Sequence, residues 1–184
     1  MRVIAGEWRG RPLVTPKGDA TRPTADRVRE ALFSMLASRL GTFDGLRVAD
    51  LFAGSGALGL EALSRGAAQC TFVEQDGDAL DALRANIAKL VAKGSEVRAG
   101  SVMALPAARE PYDLVLLDPP YATGAGSVAL DRLSRLGWFA PGALISVETG
   151  KTETVAIAGL TVEAERSHGK AKLTLLRAPD TKSD

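Results

Sequence analysis

Residues 48–67 read VADLFAGSGALGLEALSRGA. A short run of strand formers ends at a turn carrying Gly54 and Gly56, and a helical stretch containing Gly59 follows. Glycines at a strand-to-helix turn let a ligand approach the backbone, and the first turn of the helix favours negative charge there. The stretch calls for an α/β fold with a nucleotide-like ligand at this turn. Its glycine spacing matches the dinucleotide fingerprint and serves NAD or S-adenosylmethionine equally. Two acids strengthen the nucleotide reading: Asp50 lies in the strand just before the turn, and Glu74 ends the next strand about 20 residues on, where a carboxylate can bind ribose hydroxyls. No Lys follows the glycines, which argues against a nucleoside triphosphate cradle, whereas a sulfonium nucleoside needs no phosphate clamp.

Downstream of this turn, strand-like and helical runs alternate as CTFVEQ, ALDALRANIAKLVAKG, EVRAG, a short helical piece and YDLVLLD. That rhythm predicts a parallel sheet covered by helices on both faces. SVALDRLSRLGWFAPG adds a helix and turn, and ALISVET a strand. TVAIAG, LTVEAERS and KLTLLRA then read as strand runs with no helix to separate them, closing one sheet edge in antiparallel fashion. Upstream, RVIAG and EWRGRPLVTP alternate apolar and polar residues around Gly6 and Gly10, as a short hairpin or extended arm would. In TRPTADRVREALFSMLASRL the residues Val28, Leu32, Met35, Leu36 and Leu40 fall at helical spacing. They predict a helix from about Ala25 to Arg39 with Thr24 as its N-cap. The chain thus divides into a hairpin and helix over residues 1–40, a sheet domain over 41–179, and a tail at 180–184 that reads as disordered.

Residues 114–121, LVLLDPPY, end a buried-strand run in an acid, two prolines and a tyrosine. Proline lacks the N–H that the next strand needs and fixes its own φ, so the strand stops and Asp118 is left at its carboxyl end on a stiffened backbone. Ligands of open α/β sheets bind beyond the carboxyl ends of strands, so this stretch and the glycine turn face one crevice. An exocyclic amine on a base is a poor nucleophile because its lone pair is delocalised into the ring. Accepting its two N–H bonds, at Asp118 and at the Pro119 carbonyl, draws it toward tetrahedral geometry. Pro119 and Pro120 hold the acceptors rigid, and Tyr121 offers a ring on which a splayed-out base can stack.

The chain has 184 residues, a formal net charge of +1 and 46% hydrophobic residues, enough for one domain with a sizeable core. Charge is uneven: residues 1–40 hold eight Lys/Arg against four Asp/Glu, which points to a basic patch for a polyanion. The single cysteine, Cys70, excludes an internal disulfide and a Cys-based zinc site, and the single histidine, His168, excludes a His-rich metal site. No metal is expected. A reducing, cytoplasmic setting fits, and no segment has the length or apolarity of a signal peptide or membrane span. Trp8 and Trp138 read as packing residues.

DLFAGSGALGLEALSRGA together with DPPY resembles the amino-methyltransferases, whose fourth motif runs Asp or Asn, Pro, Pro, then Tyr, Phe or Trp. RVIAGEWRGRPLVTPKG followed by TRPTADRVREALFSML is similar to a narrower group, the bacterial small-subunit ribosomal RNA guanine-N2 methyltransferases of the RsmD type. The resemblance runs from Arg2 to about Arg177. It implies a Rossmann-like class I methyltransferase fold with a seven-stranded, mostly parallel sheet in the order 3-2-1-4-5-7-6, an antiparallel C-terminal edge, and the N-terminal hairpin and helix as an RNA-binding extension. It implies S-adenosylmethionine as donor and one guanine of 16S ribosomal RNA as acceptor, in free RNA or an assembly particle, with a monomeric enzyme. By position, Gly54, Ser55 and Gly56 wrap the methionine part of the donor beside Asp50, Phe52, Ala53 and Asp118. Glu74 and Gln75 take the ribose, and Ser101 and Val102 the adenine, where many relatives carry an acid or Asn instead of the AGSVMA found here. Asp118, Pro119, Pro120 and Tyr121 hold the target base. Arg9, Arg11, Lys17, Arg22 and Arg27 are the RNA contacts, with Arg22, Thr24 and Arg27 bordering the cofactor as well. Two rivals stand beside this reading: the same chemistry on DNA adenine N6 or a protein glutamine, and a non-catalytic RNA-binding module on the same fold.

Overall fold

The computed structural model describes residues 1–16 and 23–180. Lys17, Arg22 and the tail at 181–184 lie outside the described residues, as do the surroundings of the Thr24 side chain. Helix α1 spans Pro23–Leu40. It begins two residues earlier than the spacing of its apolar residues predicts, with proline among its first residues, where its missing N–H is no loss. Thr24 is therefore inside the helix and is not its N-cap.

From there the chain runs β1 (Arg47–Leu51), α2 (Ala57–Ser64), β2 (Gln69–Glu74), α3 (Gly77–Leu90), β3 (Ser95–Ala99), a single 3₁₀ turn (Val102–Ala104), β4 (Tyr112–Leu117), α4 (Ala125–Arg135), β5 (Phe139–Gly150), β6 (Thr161–His168) and β7 (Ala171–Arg177). The strands form one seven-stranded sheet in the order β3-β2-β1-β4-β5-β7-β6. β1 to β5 are parallel, while β7 runs antiparallel to both β5 and β6. TVAIAG is not a strand: residues 151–160 form an irregular connection, and Val155 is buried without a ladder partner. Strand β5 is longer than expected, starting at Phe139, and its register against β4 shifts between Tyr112 and Leu114.

Both faces of the sheet are buried over β1, β2, β4, β7 and the second half of β5, which is why those strands read as largely apolar runs, while the edge strands β3 and β6 are half-buried to exposed. Leu114 and Leu116 of β4 face one cluster and Val115 and Leu117 the other. The first cluster takes Phe72, Leu60 and Leu83 together with Phe33 and Leu36 of α1, and also Val3, Trp8 and Leu13 of the N-terminal arm. The second holds Leu130 and Leu133 of α4 with Trp138, whose ring stacks on Tyr112 at 5.1 Å.

Hydrogen bonds from the body of the domain hold the arm. Glu61 of α2, fully buried, accepts Ile4 N–H at 2.8 Å and Ala5 N–H at 3.0 Å. Its carboxylate also meets Arg65 at 3.0 Å and the buried Arg29 of α1 at 3.6 Å. Ser64 Oγ accepts from Trp8 N–H and donates to Ala5 O. Asn86 of α3 exchanges two hydrogen bonds with the Val14 backbone and donates a third to Ser55 O, tying arm and glycine turn to one side chain.

Candidate active site

The carboxyl ends of β1, β4 and β5, the first turns of α1 and α2 and the β6–β7 hairpin surround a crevice of about 730 Å³. Its lining includes Asp50, Phe52, Ala53, Gly54, Ser55, Asp118 and Tyr121, so the two motifs singled out in the sequence meet in space. Gly56 lies beneath this surface: a Cβ there would collide with Leu83 Cδ1 at 2.4 Å. Glu74, Gln75, Ser101 and Val102 lie outside the lining, further along the same sheet edge at the ends of β2 and β3.

The glycines divide their work. Gly54, with φ +57°, has open space where a side chain would stand. Gly59 is instead a packing residue, since a Cβ there would meet Phe72 Cε1 at 2.4 Å and Cys70 Sγ at 2.6 Å. Phe52, at φ 59°, takes the left-handed conformation without being glycine, a strain that clusters at ligand sites. Glu74 braces this turn: Oε1 accepts Gly54 N–H at 2.8 Å, and Oε2 accepts the N–H groups of Gln75 and Asp76 at 2.8 Å each. Ser101 Oγ accepts Met103 N–H at 3.1 Å, capping the 3₁₀ turn, and Val102 is buried against the second cluster.

Asp50 is 1% exposed; Oδ2 accepts Gly59 N–H at 2.9 Å, while Oδ1 is buried without a hydrogen-bond partner. Burial, with a smaller push from Glu74 and against the pull of Gly59 N–H, raises its carboxyl from 3.8 to about 8. Between those values the folded chain holds a proton that the unfolded chain has released, so this group makes stability fall as pH rises from about 4 to about 8. Asn at this position keeps the acceptor for Gly59 N–H without a charge. Asp50→Asn is expected to be more stable than the parent at pH 8 by about 1 to 3 kcal/mol, the gap closing toward pH 4, in urea melts at the two pH values. A pH-independent gap would sink this account.

Asp118 opens onto the crevice. Desolvation by the surrounding protein, the Glu148 and Asp50 charges and a side-chain hydrogen bond with Glu148 push its carboxyl well above the ordinary range. Water in the open crevice screens part of that push until a ligand fills the space. Tyr121, 44% exposed, donates its hydroxyl to Glu148 Oε2 at 2.5 Å, and desolvation together with this bond raises the phenol pKa, keeping it a donor. Pro119 is buried, and the Pro120 carbonyl accepts Thr123 Oγ1 at 2.9 Å, closing the turn after the strand. Glu153 accepts Ala122 N–H at 3.0 Å and Gly150 N–H at 2.8 Å, fastening this loop to the end of β5.

Sequence reasoning missed Glu148, Arg29 and the β6–β7 hairpin residue Gly169, all of which line the crevice. The acid next to last in ALISVET was a signal for Glu148, because like Asp118 it follows an apolar run near a strand's carboxyl end. Arg9, Arg11 and Arg27 are exposed; Arg11 Nη2 also donates to Lys89 O at 3.2 Å. Among the described residues no group of three or more His, Cys, Asp or Glu side chains could hold a metal ion, and no helix is long and apolar enough to cross a membrane.

The sheet order, the glycine turn after β1 and the Asp-Pro-Pro-Tyr loop after β4 define a Rossmann-like methyltransferase fold. The family model described as "Conserved hypothetical protein 95" matches residues 1–177, and the chain belongs to that family, the RsmD-type methyltransferases. It is 43% identical over 150 residues to "Ribosomal RNA small subunit methyltransferase D" of Escherichia coli (strain K12), covering 81% of this chain and 74% of the relative. The protein of that name from Haemophilus influenzae is 38% identical over 156 residues, covering 82% and 79%. The solved structure of the putative methyltransferase yhhF from Escherichia coli superposes with a TM-score of 0.86 at 38% identity, covering 98% of this chain and 99% of the other.

Proposed function

We propose that this chain transfers the methyl group of S-adenosylmethionine to the exocyclic N2 amine of one guanine in 16S ribosomal RNA. The observation that carries the reading is that Gly54 and Asp118, from two separate motifs, open onto one crevice with the exposed Tyr121 ring beside them. The names of the Escherichia coli and Haemophilus influenzae relatives support ribosomal RNA as the acceptor.

The residues present fit the donor. The open face of Gly54 lets a ligand reach the backbone, and the unpartnered Oδ1 of Asp50 suits a cationic amino group. Glu74 has lone-pair capacity left at Oε1 for a ribose hydroxyl, and Ser101 and Val102 close the adenine end. Bound there, S-adenosylmethionine supplies an electrophilic methyl group on a sulfonium. Asp118 and the Pro119 carbonyl accept the two N–H bonds of the amine and aim its lone pair, and Tyr121 stacks on the base. Rate comes from orientation and amine polarisation, with proton loss following attack.

Mass mapping of methylguanine in ribosomal RNA tests the reading. Cells lacking this chain should lose one N2-methylguanine that the parent gene restores and an Asp118→Ala gene does not. Loss of no guanine methylation would refute it.

The exposed Arg9 and Arg11 on the arm and Arg27 on α1 are the proposed phosphate contacts, together with Lys17 and Arg22 from outside the described residues. The double variant Arg9→Ala, Arg11→Ala should flatten the salt dependence of RNA binding by about 0.7 in log–log slope per lost contact, leaving cofactor affinity unchanged. A salt titration with an identical slope would make these arginines bystanders.

A further inference from the structure

Guanine, adenine and a glutamine amide all present an exocyclic NH₂, so Asp-Pro-Pro-Tyr alone does not choose among them. Leu117 of β4 pairs with Val147 of β5, which makes Asp118 and Glu148 the next residues on neighbouring strands, both lining the crevice. Tyr121 holds Glu148 by its Oε2, leaving Oε1 for other donors. His168 also lines the crevice, and its Nε2 is buried without a hydrogen-bond partner.

We propose that Glu148 is the guanine-reading residue of this site: its carboxylate accepts N1–H of the target base while Asp118 accepts from the adjacent N2 amine, with Tyr121 bracing Glu148. The inference rests on the guanine-N2 reading above. A base extruded from its stack is read along its Watson–Crick edge. On guanine the reacting amine is flanked by N1–H, so two neighbouring donors meet two neighbouring acceptors. On adenine the N6 amine is flanked by the N1 lone pair, which would face the Glu148 carboxylate acceptor to acceptor. A glutamine amide carries its own carbonyl beside the NH₂, with the same mismatch. Hydrogen bonds to a carboxylate are the strong kind, and a donor-reading site left facing an acceptor rejects the wrong ligand by a large factor.

The test replaces the target guanine with 2-aminopurine, which keeps the N2 amine but carries a lone pair at N1. Small-subunit RNA with either base, free or in its particle, is methylated by the parent and by Glu148→Gln, whose amide can donate to that lone pair. The parent is expected to prefer guanine in kcat/KM on the order of 10²-fold, and Glu148→Gln to reduce that preference to about tenfold or less. An unchanged preference in Glu148→Gln would overturn the assignment, because a merely structural glutamate would slow both substrates alike. A parent that methylates both bases at similar rates would overturn it without any variant, which covers a Glu148→Gln chain that fails to fold; S-adenosylhomocysteine binding shows whether it has. If the parent forms no methylguanine yet methylates another amine, the guanine-N2 reading itself fails, an outcome distinct from loss of preference.

Discussion

Exchanging Asp118 for Ala is expected to lower turnover in methyl transfer on the order of 10²-fold or more while S-adenosylhomocysteine binds nearly as before. The side chain sits just past the end of β4, opens onto the crevice and is held by the prolines that follow it. Its proposed work is on the acceptor amine, so its loss should appear in turnover rather than in affinity for the donor. Asp118→Asn keeps an acceptor oxygen and should retain more activity than Asp118→Ala. Single-turnover transfer of labelled methyl and calorimetry with S-adenosylhomocysteine make the two measurements. Turnover of the Ala variant within a few-fold of the parent would remove Asp118 from the chemistry.

Glu61→Ala is expected to destabilise the fold by about 3 to 5 kcal/mol, the cost of leaving buried charges without their partner. The fully buried carboxylate serves two backbone N–H groups of the arm and two arginines, one of them buried. Alanine would leave the two arm N–H groups without their acceptor, take one of its carboxylate partners from the buried Arg29, which keeps Asp26 at 3.3 Å, and take the carboxylate from the half-buried Arg65. For a domain of this size the loss corresponds to a fall in Tm on the order of 10 °C. Met1, Thr15 and Pro16 of the arm line the crevice, so loosening it should also weaken binding there. Differential scanning calorimetry decides the matter: a Tm within about 2 °C of the parent would mean that Glu61 is not what holds the arm.

The strand–turn–helix at 48–67, the stop after LVLLDPPY, the alternation that makes a parallel sheet and the antiparallel tail were all legible in the linear chain. Each depends on residues within one or two turns of each other: glycine's freedom at positive φ, proline's missing N–H, the period of apolar positions. TVAIAG misled for the same reason. Its composition suits a strand, but β7 already occupies the place beside β5 that it would take, so the segment carries the chain past β7 from β5 to the edge strand β6 as a loop. Register and partnership, not propensity, settle that.

The polar side chains that shape the site belong to the other class. Glu61 meets Ile4 across 57 residues and Asn86 meets Val14 across 72, and Glu148 becomes a neighbour of Asp118 through the pairing of β4 with β5. In the linear chain Glu61 is one acid in a helical run and Glu148 one acid at a strand end, each as fit for solvent as for a crevice. Burial sets the strength of a charge and the worth of its hydrogen bonds, and burial is created by elements far away in the chain. Local pattern therefore determines which backbone is built and where it stops, while the dielectric and the partners that turn a carboxylate into a clamp or a reader arise only when distant segments pack around it.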